Sequence, residues 1–330
     1  MATMADVARL AGVSVATVSH VLNGTRVVRQ ETREQVLAAV REANYTPNTV
    51  ARSLATARTT TIGLALSAIS NPYFGDLLRS VETTAAEAGY TLLLADPREE
   101  PDYELTVVRR LQARRVDGLV LAPSGEPTAA LAHLAQHGVP TVLVDRLIDA
   151  GLDQVGSENV GPVADLVGHF ASRGHTRIAL VAGHRGLATT TERRDGYLLG
   201  MRRAGLDGEP ELVVDGNSET EAARAAVHRL LALSRPPTAI IAGNNSMTIG
   251  ALAALREAGI PVPGGMAVAG FDDFPWADLF SPGLTVIAQP FAEMGRRAVE
   301  MLLARMATPS APAHTVRLPP TFVHRDSCGC

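Results

Sequence analysis

Thr3-Met4-Ala5-Asp6-Val7-Ala8-Arg9-Leu10-Ala11-Gly12-Val13-Ser14-Val15-Ala16-Thr17-Val18-Ser19-His20-Val21-Leu22-Asn23-Gly24 is the stretch from which the chain has to be read. Thr3 with Asp6 three residues later has the spacing of a capping box, where hydroxyl and carboxylate satisfy the first amides of a helix. Met4, Val7, Ala8 and Ala11 then recur at helical spacing. Gly12 suits the left-handed backbone of a tight turn, and Ser14 suits the cap of a second helix. At about 100° per residue, that helix gathers Thr17, Val18, Val21 and Leu22 on one side. Ala16, Ser19 and His20 share the other, with Val15 at the rim. The first set packs on helix one. The second is free for a major groove, where small side chains and a polar tip meet base edges. An ordinary surface face is the bland alternative, and the next segments weigh against it.

Glu31 to Asn44 predicts a third amphipathic helix, with Val36, Leu37, Val40 and Ala43 inward and Arg33 and Arg41 outward. Three short helices can bury one small core. Tyr45-Thr46-Pro47-Asn48 ends this helix, because proline disfavours helical backbone at Thr46. Residues 48–57 follow, with only Val50 and Leu54 as an apolar edge. Such a segment is too short to be a stable isolated helix. Its order is expected to come from pairing with the same segment of a second subunit on DNA. A plain linker would be richer in Gly, Ser and Pro.

Asp6 to Gly24, Thr32-Arg33-Glu34-Gln35-Val36, Asn44-Tyr45-Thr46-Pro47-Asn48 and Val50-Ala51-Arg52-Ser53-Leu54 together resemble the LacI/GalR family of bacterial transcriptional regulators. The resemblance runs to the last residues. It implies that Val15, Ala16 and His20 read bases, that Tyr45 and Asn48 contact phosphates, and that Leu54 wedges into the minor groove. Thr3, Ser14, Thr17, Ser19, Asn23, Arg29, Ala51 and Arg52 complete the implied DNA-contacting set. Two residues depart from the family pattern. His20 stands where arginine is usual, and Arg29 replaces a helix-capping serine.

Charge agrees with this division. Residues 1–60 hold seven Arg against Asp6, Glu31, Glu34 and Glu42, a balance of +3; the whole chain is −4, which leaves −7 for residues 61–330. A basic head suits phosphates and an acidic body avoids them. With 330 residues and 46% hydrophobic content, the chain is expected to form two or three well-buried domains. No apolar run approaches the roughly 20 residues of a membrane span, and no signal-peptide pattern opens the chain. A cytoplasmic protein without a membrane partner is the expectation. Cys328 and Cys330 are the only cysteines. Two thiols in a tail expected to fray fall short of the about four ligands a zinc site wants, so neither metal nor cofactor is expected.

From Thr61 onward, apolar runs alternate with helical ones. Thr61–Leu66, Tyr90–Leu94, Gly118–Leu121 and Thr141–Val144 form one series of candidate strands. Arg177–Val181, Leu212–Val214, Ala239–Ala242 and Met266–Gly270 form a second. Near-continuous apolar strands between helices predict parallel sheets covered on both faces, and two series predict two doubly wound lobes. Ligands of such folds bind beyond the carboxyl ends of the strands. Tyr73 and Phe74, Asp145, Arg193, Asn244 and Asp272 all lie just past such ends. Carboxylate, guanidinium, amide and ring faces converging on one cleft suit a hydroxyl-rich ligand. Trp276 either lines that pocket or packs the hinge.

The resemblance implies the same arrangement: an N-terminal all-α helix-turn-helix DNA-binding domain and an α/β periplasmic-binding-protein-like core of two doubly wound parallel-sheet lobes. Arg193 and Asp272 would be the main effector anchors, with Gln289 near a crossover. The implied divisions are 1–47 for the DNA-binding domain and 48–60 for the hinge. The first lobe would be 61–159 plus 288–318, the second 160–287 plus 319–330. Family members that read purines carry an extra Arg near Leu187, which tilts the expected effector towards a sugar and the function towards repression of a carbohydrate-utilisation operon. Asn217 sits where an aromatic pocket residue is common. The alternatives are a regulator answering a nucleoside or other metabolite, and a free solute-binding protein. An enzyme is not expected: no nucleophile elbow, P-loop, zinc-protease helix or dinucleotide fingerprint occurs, and the nine histidines read as ordinary residues. No leucine heptads follow Ser327, so a homodimer is expected rather than a coiled-coil tetramer.

Restoring arginine at His20 should add the commonest guanine contact, worth about 1–3 kcal/mol of base discrimination. A binding-site selection with His20→Arg is expected to shift preference at one position in each half-site. An unchanged selection would remove His20 from the base readers.

Overall fold

The structure, a computed structural model, describes residues 2–24, 26–46, 58–67 and 74–330. It forms two compact units, Met1–Thr60 and Thr61–Cys330. Asn48, Ala51, Arg52 and Leu54, expected in the hinge, and Tyr73, expected in the cleft, lie outside the described residues.

In the first unit, α1 (Met4–Ala11) starts at the expected capping box: the Asp6 amide donates to Thr3 Oγ1 at 3.3 Å, and the Thr3 amide donates to Asp6 Oδ2 at 2.9 Å. The Thr3 hydroxyl and amide hold the Asp6 carboxyl below its usual range. Gly12 closes α1 at φ 65°. Ser14 then caps α2 (Val15–Asn23) by accepting from the Thr17 amide at 3.1 Å. The chain turns by 103° between these helices, within the range of a helix-turn-helix. Among the described residues no single helix is long and apolar enough to cross a membrane. α3 spans Gln30–Glu42, and the Arg29 side chain makes no capping bond to it. It ends two residues earlier than expected, with Asn44 in left-handed backbone at φ 46°. Val7, Ala8, Val18, Val36 and Ala39 form the small core. Leu37, expected there, stands outside it, because Ala39 occupies the inward position.

The second unit holds two six-stranded sheets. The first is built from β1 (Thr61–Ala65), β2 (Thr91–Ala95), β3 (Gly118–Leu121), β4 (Thr141–Val144), β5 (Asp153–Ser157) and β11 (Thr315–Leu318). Its order is β11-β5-β4-β3-β1-β2, parallel throughout. The second comprises β6 (Ile178–Ala182), β7 (Val213–Asp215), β8 (Ala239–Ala242), β9 (Ala267–Phe271), β10 (Thr285–Ala288) and β12 (Thr321–Val323). Its order is β12-β10-β9-β8-β6-β7, and only β12 runs antiparallel. The chain therefore changes sheet three times: after β5, after β10 and between β11 and β12.

Helices cover both faces of each sheet: α4 (Gly75–Glu87), α5 (Pro101–Ala113), α6 (Thr128–Gln136) and α11 (Phe291–Ala307) on the first. The second carries α7 (Val160–Ser172), α8 (Ala188–Arg203), α9 (Thr220–Leu231) and α10 (Asn245–Glu257). The eight apolar strands fall close to where the sequence placed them. β5 is different, since its polar run Asp153-Gln154 is buried. Asp153 accepts from Arg305 Nε and the His314 amide, each at 2.8 Å, and Gln154 Nε2 donates to Thr315 Oγ1 at 3.1 Å. Partners about half a chain away make this strand possible. The C-terminal tail corrects another expectation. It does not fray: Ser327 and Cys328 are fully buried, and Cys328 pairs with Cys330 as a disulfide.

α7 and α8 approach through glycine. A Cβ on Gly196 would lie 2.5 Å from the Val160 carbonyl oxygen and 3.0 Å from Val163 Cβ. Gly196→Ala is therefore expected to cost about 1–3 kcal/mol by overpacking, although alanine is intrinsically the better helix former by about 1 kcal/mol. Urea unfolding checks this. A midpoint equal to or above wild type would show that the helices part freely.

Candidate DNA-reading head and ligand cleft

On α2, Val15 and Ala16 are exposed, while Ser19 and His20 are half-buried on the face away from the core. Several expected DNA contacts also hold the head together. Thr3 and Ser14 cap helices, Thr17 Oγ1 lies 2.9 Å from Ser14 Oγ, and Asn23 Nδ2 donates to Ser19 Oγ at 3.1 Å. Val18, Val21 and Leu22 pack inward. The Tyr45 ring rests on the edge of the same core, and Arg29 is exposed ahead of α3.

In the second unit a cavity of about 640 Å³ lies at the carboxyl ends of both sets of strands, a size typical of small-molecule sites. Six of the expected effector residues line it: Phe74, Asp145, Arg193, Asn244, Asp272 and Gln289. Trp276 does not, and this corrects one expectation. Phe274 is drawn into a side core with Ala277, Leu284 and Val286, and it carries Trp276 with it, ring centroids 5.5 Å apart.

Asp145 follows β4 and Asp272 follows β9, which occupy the same place in their two sheets. Both residues are buried and both take left-handed backbone, φ 69° and 83°, a conformation that Asp tolerates better than most residues. The amide of Asp145 donates to the Val155 carbonyl at 2.9 Å, and that of Asp272 to the Ile287 carbonyl at 2.8 Å. Burial pushes the Asp145 carboxyl above its usual range, against the pull of Arg146 and Arg193. Gln289 Nε2 donates to Asp272 Oδ1 at 2.8 Å. Arg193 spans the second lobe's side of the cavity. Its Nε donates to Asn159 Oδ1 at 2.9 Å, its Nη1 to the Gly243 carbonyl at 2.6 Å, and its guanidinium lies 3.7 Å from the centre of the Phe271 ring. Asn244 caps α10 by accepting from the Met247 amide at 2.8 Å.

Sequence reasoning missed two kinds of cleft residue. Arg146 is fixed by Glu99, with Nη1 to Oε2 at 2.7 Å, and by the Pro123 carbonyl at 2.8 Å. Its only sequence signal was its place beside Asp145. His184, read as an ordinary histidine, lines the cavity just past β6. The strand-end rule that found Asp145 would have found it too.

A model of bacterial regulatory proteins of the lacI family matches residues 3–48, and one of the periplasmic binding protein-like domain matches residues 167–328. The HTH-type transcriptional repressor PurR of Photobacterium profundum is 37% identical over 331 residues, 99% of this chain and 98% of that protein. The chain belongs to the lacI family. The repressor of the same name from Vibrio cholerae serotype O1 is 35% identical over 338 residues, covering 99% and 98%. Among solved structures, the lac repressor dimer bound to operator and the anti-inducer ONPF superposes with a TM-score of 0.88 at 29% identity, covering 99% of both chains. The transcriptional regulator CelR–cellobiose complex gives 0.75 at 29% identity, covering 99% and 100%. This lacI-family chain is thus a DNA-binding transcriptional repressor, not an enzyme, with a helix-turn-helix and a two-lobe α/β core. Operator DNA and a small-molecule effector are its partners.

The raised pKa of Asp145 sets the sign of a test. A carboxyl whose folded pKa lies above its unfolded one destabilises the fold once ionised, so stability rises as pH falls through that window. Asp145→Asn removes the ionised form, and Asn accepts left-handed backbone. Without ligand, the variant is expected to melt above wild type at pH 7, the gap closing as pH falls towards about 4. A variant that melts below wild type at pH 7 would mean that the Arg146 pairing outweighs burial.

Proposed function

We propose that the repressor binds a pseudo-palindromic operator as a homodimer, and that a sugar-like effector in the cleft sets its operator affinity. The reading rests above all on two buried polar atoms of the cleft, Gln289 Oε1 and His184 Nδ1. Neither has a hydrogen-bond partner among the described residues, and buried polar atoms without partners are rare in folded proteins. Sugar hydroxyls donate to such acceptors and also accept from Arg193, whose Nη2 makes no protein hydrogen bond among the described residues. Thr190, Asn217 and Ser218 add further short polar groups to the same wall. A second reading, a nucleoside, has Phe74 in its favour, because a base can stack against a ring in the cleft.

In this mechanism Val15, Ala16 and His20 read base edges, with the rest of the helix-turn-helix set positioning them on phosphates. Residues 48–57 of two subunits become helical together between the half-sites. The lobes divide at 159/160, 287/288 and 318/319, so the effector touches both lobes and favours one orientation. Coupling follows from its different affinity for the two orientations. A carbohydrate-utilisation operon in the cytoplasm is the proposed setting.

Titration of the purified chain with panels of sugars and of nucleosides, read by melting temperature and by operator affinity, tests the effector class. A sugar is expected to stabilise the core and to change operator affinity about 5–150-fold, the usual span of such couplings. Asp272→Ala is expected to abolish both responses while leaving operator binding without ligand in place. A response confined to nucleosides replaces the sugar reading by the second one.

Circular dichroism tests the hinge. Helix content is expected to rise with operator and not with a random duplex of equal length, and equal content in both would remove the paired hinge.

A further inference from the structure

Outside the cleft, four metal-ligand side chains converge at the end of the chain. His169 on α7, His324 just past β12, Cys328 and Cys330 each place one donor atom within 4.8 Å of the other three. Cys330 Sγ lies 3.2 Å from His169 Nε2 and 3.9 Å from His324 Nδ1. Around a tetrahedral zinc ion, with Zn–S of about 2.3 Å and Zn–N of about 2.0–2.1 Å, donors stand roughly 3.3–3.8 Å apart. Shifts of about 1 Å therefore bring all four onto one ion.

The fold assembles this set through local chemistry. Gly329, at φ 77°, donates its amide to the Asp326 carbonyl at 3.0 Å, and the resulting turn returns Cys330 to the side of Cys328. Arg173 Nη1 clamps the Gly329 carbonyl at 2.8 Å. Ser327, fully buried, donates to the Val268 carbonyl at 2.7 Å and accepts from the Thr285 amide at 2.8 Å. Cys328 is part of the second lobe's core, whereas His324 and Cys330 face solvent. A site with one buried and two open donors is anchored and still has an entry path for an ion.

We propose that the reduced chain binds one zinc ion through Cys328, Cys330, His169 and His324. Two sulfurs and two imidazoles form a donor set suited to zinc, whereas magnesium and calcium take oxygen ligands. In the structure the two cysteines are joined as a disulfide. Two molecules of a thiol reductant open it: the Cys328–Cys330 bond breaks, the reductant forms its own disulfide, and two protein thiols result. Zinc then displaces one proton from each thiol and binds the two thiolates and two neutral imidazoles. The ion fastens the tail to α7. A small-molecule disulfide reverses this: it re-forms the Cys328–Cys330 bond, is itself reduced to two thiols, and with both thiolates gone the ion is released.

Cobalt(II) reports on this site in the full chain, reduced with a phosphine and kept free of oxygen. The expected result is one ion per chain, with the intense visible bands of tetrahedral cobalt, a thiolate charge-transfer band, and loss of both on adding zinc. Cys330→Ser is expected to halve the charge-transfer band. His169→Ala is expected to weaken binding about 100-fold or more, since loss of even an outer-shell partner costs about 10–100-fold. Both variants should keep the wild-type circular dichroism, and the oxidised chain should take up no cobalt. Octahedral spectra, an absent charge-transfer band, or Cys330→Ser titrating like wild type would overturn the proposal. None of these readouts depends on the effector.

Discussion

Arg193 ties the ligand cleft to the places where the chain passes from one lobe to the other. Its Nε holds the side chain of Asn159, which lies on the first crossover. Asn159 in turn donates to Glu192 Oε2 at 2.7 Å, and Glu192 Oε1 accepts from Arg317 Nη2 at 2.6 Å, on β11 of the first lobe. A continuous hydrogen-bonded path thus runs from the first lobe's edge strand through a crossover to the guanidinium facing the cavity. That guanidinium is also fixed by the Gly243 carbonyl and by the Phe271 ring beneath it. A ligand that pulls on Arg193 pulls on the crossover. A cleft lined only by loop residues would have no comparable grip on lobe orientation, so the allosteric reading depends on this one side chain more than on any other.

The cleft is built at a cost to the fold. Asp145 is ionisable and buried, Gln289 and His184 carry buried polar atoms without partners among the described residues, and both carboxylates sit on left-handed backbone. Each of these features destabilises a protein by itself. Together at the carboxyl ends of two sheets they make a surface whose unmet needs a hydroxyl-rich ligand can meet. Stability given up in this way is characteristic of binding sites.

How much of this was legible in the chain depends on how far away the deciding partner lies. The helix-turn-helix could be read because Thr3, Asp6, Gly12 and Ser14 settle their own conformations within a few residues. The eight apolar strands were equally plain, and most cleft residues followed from standing just past them. β5 was hidden, since Asp153 and Gln154 look like loop residues until Arg305, His314 and Thr315 arrive to satisfy them. Trp276 could not be settled between pocket and packing, because nearness to Asp272 in sequence says nothing about which core claims Phe274. The tail was misjudged for the same reason: Cys328 and Ser327 look terminal, yet Ser327 bonds to Val268 and Thr285, and Cys328 joins the second lobe's core.

The two lobes repeat one design with its charges exchanged. In each, the cleft carboxylate is followed by a charged residue held in an ion pair that steadies the left-handed turn. After Asp145 comes Arg146, paired with Glu99; after Asp272 comes Asp273, held by both terminal nitrogens of Arg325 at 3.0 and 2.9 Å. The exchange matters because the cation stays in the first lobe's cleft wall, where Arg146 lines the cavity. In the second lobe the cation comes from the tail and approaches from outside the cavity lining. The cavity therefore draws Arg146 from one lobe and Arg193 from the other, facing two aspartates. With Arg98, Asp96, Glu99 and Glu219 also in the lining, acidic groups outnumber basic ones, and Glu99 is taken up by Arg146, so the wall is rich in acceptors for the hydroxyl donors of a ligand and ill suited to an anion.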